Sequence, residues 1–116
     1  MDDEFRSMAR FSDLDDKVMS TILGEHRALA ILRMLARFPA YTGNCLLLES
    51  CLGHVGLPTS QAVVKSTLNL LASHQLVALK ATDDVTVVEL LSTGLDAAKG
   101  LIQVAGILRP PPQCPY

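Results

Sequence analysis

The chain is poor in aromatic residues, which make up 4% of its 116 positions, and it has no tryptophan. Its core must therefore be aliphatic, with helices packed through Leu, Ile, Val and Met. Basic residues are not in excess. Ten Lys and Arg stand against twelve Asp and Glu, a formal net charge of -2. A generally basic surface, the broad electrostatic footprint of a nucleic-acid binder, is excluded. Any affinity for DNA has to come from where individual cations sit. Cysteine is scarce and odd in number (Cys45, Cys51 and Cys114). That argues against a secreted disulfide scaffold. No apolar run approaches the roughly 20 residues of a membrane span. The start, Met1-Asp2-Asp3-Glu4, carries no apolar leader, so the chain reads as cytoplasmic.

Catalytic signatures are missing too. There is no nucleophile elbow, no Gly-rich phosphate loop and no spacing that pairs carboxylates. Asp15, Asp16, Asp83 and Asp84 fall at a helix start and a turn, where such residues are expected anyway. No enzyme, cofactor or small-molecule substrate is expected. His26, His54 and His74 with Cys45 and Cys51 raise the question of a metal. Cys51 and His54 share a helix face, but two ligands do not close a tetrahedral site, and Cys45 lies on another face. No metal is expected.

What is present is a hydrophobic fraction of 49%, arranged with helical and then strand periodicity. Ser12 is the expected N-cap of a long helix reaching about Phe38, where Pro39 stops it. Gly24 is a possible interruption. Ala28, Ile31, Leu32, Leu35 and Phe38 make a wide apolar stripe, opposite His26, Ala30, Arg33 and Arg37. Tyr41-Thr42-Gly43 reads as a turn, and Asn44 as the cap of a shorter helix with stop signals at Gly53 and Gly56. A third helix spans about residues 60–74, anchored by Val64, Leu68 and Leu71. Leu76–Ala81 and Val85–Leu90 read as a hairpin turning at Asp83-Asp84. Ser92 is the expected cap of a last short helix, and the Pro-rich tail from Arg109 is expected to be extended or disordered.

Helix, short helix, turn, helix, hairpin is the order of a helix-turn-helix with a wing. Such a motif needs a third helix with one buried face and an outer face bearing donors and acceptors. Gln61, Lys65 and Asn69 recur at i, i+4 and i+8, with Ser60 and Ser66 beside them and Lys80 on the first hairpin strand. Gln and Asn pair bidentately with adenine, and Lys reaches guanine or phosphate. Over about residues 26–100, including Leu91-Ser92-Thr93-Gly94-Leu95-Asp96-Ala97-Ala98-Lys99-Gly100, the chain resembles the winged-helix superfamily of small bacterial transcriptional regulators. Over most of its length it also resembles a family of small proteins encoded in Mu-like prophages. That likeness rests on Arg27-Ala28-Leu29-Ala30-Ile31-Leu32-Arg33, on Asn44, and on Val104-Ala105-Gly106-Ile107-Leu108-Arg109-Pro110. It implies a phage origin.

The expected fold is therefore α+β, mostly helical: a winged helix-turn-helix with a two-stranded β-wing. Residues 1–25 would form an arm and helical extension, 26–100 the winged-helix domain, and 101–116 a Pro-rich tail. The expected function is a DNA-binding transcriptional regulator, with double-stranded DNA as partner and Ser60, Gln61, Lys65, Ser66, Asn69 and Lys80 as contacts. Leu14, Val18, Met19, Ile22 and Leu23 suggest a homodimer. Three features depart from the resemblance. The third helix has one cation, the wing tip carries two carboxylates, and Gln75 stands where Gly is common, so that helix is expected to end by another route than a left-handed cap. The first two favour the alternative, a protein-interaction scaffold that binds no nucleic acid.

Overall fold

The computed structural model describes residues 15–116. The expected Ser12 cap, Leu14 and most of the proposed arm lie outside the described residues. Asp15 caps the first helix instead, its carboxylate accepting from the Val18 N–H at 2.8 Å. The elements run α1 (Asp16–Arg37), a tight turn at Pro39–Tyr41, β1 (Thr42–Asn44), α2 (Cys45–His54), α3 (Gln61–Ser73), β2 (Val77–Ala81), β3 (Thr86–Leu90) and α4 (Ser92–Ala98). The chain is α+β, with a three-stranded antiparallel sheet ordered β1-β3-β2.

That sheet corrects the expected two-stranded wing. Thr42–Asn44, read as a turn, pairs with β3 in the register Thr42–Glu89, Gly43–Val88 and Asn44–Val87. Three residues are too few to show alternation, so their strand character comes from the free edge of β3 and not from local sequence. Gly43 is required there: a Cβ would stand 2.9 Å from the Phe38 ring. Asn44 ends β1 and also caps α2, its side chain accepting from the Leu47 N–H at 2.8 Å.

Helix α1 runs unbroken through Gly24. Ala28, Leu29, Ala30, Ile31 and Leu32 are all fully buried in succession, so this stretch is enclosed on every side. On the face expected to meet solvent, Ala30 is buried and His26 and Arg33 are half-buried beneath α4 and the C-terminal segment, while Arg37 stays exposed. Arg33 Nη1 donates to the Ala98 carbonyl at 3.1 Å, in the last turn of α4. Arg37 donates to the Tyr116 carbonyl, and the Leu108 N–H to the Glu25 carbonyl at 3.2 Å.

The tail, expected to be extended or disordered, holds no helix and is packed against the core. Ile107 and Tyr116 are buried in the core. The Tyr116 hydroxyl lies 2.8 Å from His26 Nδ1, with the rings edge to face at 5.9 Å. Tyr116→Phe keeps the ring and removes this hydrogen bond. A loss of about 0.5–1.5 kcal/mol is expected in urea unfolding; an unchanged midpoint would mean that the hydroxyl does not anchor the tail.

Two helix ends also differ from expectation. Ser92 is the first residue of α4, and Leu91 holds the cap position without a side-chain bond. Gln75 does adopt a left-handed conformation, φ 60°. The Leu76 N–H reaches the Leu71 carbonyl at 3.0 Å and the Gln75 N–H the Ala72 carbonyl at 2.9 Å. These are the paired bonds of a Schellman ending. Leu71 and Leu76 are both buried, and their packing offsets the cost of a Cβ at that angle.

Candidate nucleic-acid interface

Helix α3 begins at Ser60, whose hydroxyl accepts from the Val63 N–H at 3.3 Å. Val64, Thr67, Leu68 and Leu71 form its buried face. All six expected contact residues, Ser60, Gln61, Lys65, Ser66, Asn69 and Lys80, are exposed. They are not equally free. The Ser60 hydroxyl is engaged in the cap, and the Ser66 hydroxyl donates back to the Val63 carbonyl at 3.0 Å. The outward stripe with unspent polar ends is Gln61, Lys65 and Asn69. Lys80 stands in the hairpin opposite Val87.

The hairpin rises beside this stripe. Its turn is closed by Thr82, whose N–H and hydroxyl both donate to the Val85 carbonyl at 2.8 Å. Gln61 and Lys65, the turn residues Thr82–Thr86, and Cys45 and Leu46 of α2 enclose a cleft of about 230 Å³. A smaller hollow of about 140 Å³, lined by Lys65, Asn69, Leu79 and Thr86, lies between α3 and the hairpin strands. Gln61 and Lys65 thus share a cleft with the wing turn, Asp83 and Asp84 included, and Asn69 lines the neighbouring hollow, while Ser60, Ser66 and Lys80 line neither. On the far flank of α3, Val63 and Leu70 are exposed, as are Leu46 and Leu47 of α2.

Cys45 lies at the base of the cleft. Burial raises its thiol above the ordinary value, against an opposing pull from the Lys65 charge and a backbone hydrogen bond. Burial also raises the Tyr116 phenol, with help from Cys114. In both groups the fold favours the protonated form. Below the unfolded values both states hold the proton and stability is unaffected. As pH rises past them the unfolded chain ionises first, binds fewer protons than the native state, and is favoured. Urea midpoints should therefore fall from roughly pH 8.5 upward. Cys45→Ser and Tyr116→Phe should flatten that decline; if neither does, these groups do not drive it.

Among the described residues, no three His, Cys, Asp or Glu side chains gather as a metal site would require. Cys51 and His54 instead line an apolar groove with Met34, Phe38 and Val55. No helix among the described residues is long and apolar enough to cross a membrane. The sequence missed the work done by Arg27, Arg33 and Arg37. Arg27 Nε donates to Thr59 Oγ1 at 3.1 Å and so steadies the loop entering α3.

These features define a small α+β protein with an exposed polar helix set beside a hairpin. The chain is 38% identical over 96 residues to the "uncharacterized protein gp26" of Escherichia phage Mu, covering 83% of this chain and 99% of that protein. It belongs to the family of that Mu phage protein, in keeping with the expected Mu-like kinship. No family model matches the chain. No solved structure matches it either.

Proposed function

We propose that the chain is a winged-helix DNA-binding regulator of phage origin, with α3 as the reading helix. The observation that carries this is the exposed stripe Gln61, Lys65 and Asn69 set beside the hairpin along two adjoining hollows. The order helix, strand, two helices, hairpin, with the first strand closing the sheet against the last, supports a winged helix. Gln61 and Asn69 would read base edges, Lys65 guanine or phosphate, and Lys80 the backbone.

The regulator acts as a homodimer in this reading. Val18, Met19, Ile22 and Leu23 are each between 41% and 45% exposed, on the part of α1 that precedes its buried stretch. Pairing through this stripe would set two reading helices on half-sites about one helical turn apart. The scaffold alternative draws on the exposed Leu46, Leu47, Val63 and Leu70 and on the acidic turn.

The test is a gel-shift titration against phage and random duplex at low and moderate salt, including Lys65→Glu. A complex is expected that survives competitor, carries two chains and weakens steeply with salt. Lys65→Glu should weaken it by about tenfold or more. Absence of a complex even at low salt would end the DNA reading.

A further inference from the structure

A second cleft lies away from α3 and the hairpin. Arg33 and Arg37 stand one turn apart near the end of α1, and Lys99 follows the last residue of α4. With Tyr41 they line a space of about 280 Å³ whose remaining walls are Ala36, Leu95 and Ala98. Among the described residues no Asp or Glu side chain lines it. Three cations around one hollow reverse, locally, the sign of a chain whose net charge is -2.

Internal bonds hold two of the cations in place without exhausting them. Arg33 Nη1 is engaged with the Ala98 carbonyl, and Arg37 with the carbonyls of Arg33 and Tyr116. A guanidinium has five N–H donors, so several remain. One of them is conspicuous: Arg33 Nε is buried and donates to nothing among the described residues. That atom has no exposed surface, so the donors left for a ligand in the cleft are the remaining guanidinium N–H groups and the Lys99 ammonium.

We infer that this cleft binds a small oxyanion of the phosphate class, either free phosphate or a phosphomonoester, with Arg33, Arg37 and Lys99 as its charge partners. A dianion with several acceptor oxygens answers three cations better than a single carboxylate does. The guanidinia are pre-positioned by their bonds to the α4 end and the tail, so little side-chain freedom is lost on binding. None of the lining residues belongs to α3 or the hairpin. The site is thus independent of the DNA reading.

The experiment follows the Arg33 Nε–H resonance in ¹H–¹⁵N spectra of the labelled full chain. Inorganic phosphate, glycerol 3-phosphate and chloride are titrated at fixed pH and ionic strength, and a short duplex is added in a fourth series. The resonance should move and saturate with one or both phosphate compounds and stay still in chloride. The stronger of the two identifies the free or the esterified form. Lys99→Gln, at an exposed position, should weaken the apparent affinity by about tenfold while leaving the rest of the spectrum in place. Equal movement in chloride, no movement in either phosphate series, or an unchanged titration of Lys99→Gln would overturn the assignment. So would movement in the duplex series alone, which would make this cleft part of a nucleic-acid surface.

Discussion

Gly94→Ala should melt at least about 5 °C below the parent chain, and failure to fold is within the expected range. The reason is a backbone contact. A Cβ on Gly94 would stand 2.1 Å from the Leu76 carbonyl oxygen and 2.6 Å from Leu90 Cδ1. A flexible side chain has room to yield, but the Leu76 carbonyl does not. It already accepts from the Leu91 N–H at 3.0 Å. One residue away, the Thr93 hydroxyl donates to the Gln75 carbonyl at 2.6 Å. The start of α4 is therefore laid directly on the junction between α3 and β2. To admit one methyl group, α4 must lift, and its buried Ala97 and Ala98 must leave the core with it. Overpacking of this kind costs about 1–3 kcal/mol, and more when neither side can relax. Gly53→Ala is the internal control. It lies within α2, where a Cβ meets nothing within 4 Å. There the gain in helix propensity should raise stability by up to about 1 kcal/mol. Equal melting temperatures for Gly94→Ala and the parent would show that α4 is not clamped to that junction.

The same junction shows what a sequence can and cannot disclose. Helix α3 was legible because its signals are local: Ser60 as cap and Val64, Leu68 and Leu71 as one face. The hairpin was legible from its β-branched run and its Asp-Asp turn. The outward stripe of α3 follows from the same periodicity, since fixing the buried face leaves Gln61, Lys65 and Asn69 outside. What was not legible depends on partners far along the chain. Arg27, Arg33 and Arg37 looked like a solvated face, yet their acceptors lie 32, 65 and 79 residues away. Nothing within a helical turn of Arg33 announces Ala98. The packing of the tail is illegible for the same reason. A Pro-rich segment has no helical pattern of its own, but Ile107 and Tyr116 give it apolar anchors on α1. Strand β1 and the left-handed Gln75 belong here too. Each is locally disfavoured and is held by what packs against it, β3 in one case and the buried Leu76 in the other.

The wing tip is where the two functional readings part most sharply. Replacing Asp83 and Asp84 together by Lys should strengthen duplex binding by about 10–100-fold at low salt, if the turn faces phosphate. The slope of log affinity against log salt should steepen by about two, one counterion for each new phosphate contact. The fold is expected to tolerate the change. Both residues are exposed, and neither is in a left-handed conformation that a longer side chain would strain. Stability should therefore stay within about 0.5 kcal/mol of the parent, so a change in binding can be assigned to charge. The effect is large because Asp83 and Asp84 share a cleft with Lys65, the single cation of α3. Two carboxylates there oppose the one charge that would draw phosphate toward the reading helix. Replacing them with Lys changes the charge lining the cleft from -1 to +3, since Lys65 gains two allies and loses two opponents. A scaffold that uses the acidic turn to meet a basic protein predicts the reverse. It would keep its indifference to DNA and lose its partner. Gel shifts with the double variant at two salt concentrations therefore discriminate on sign as well as size, and an affinity for duplex that does not move would place the wing away from any phosphate.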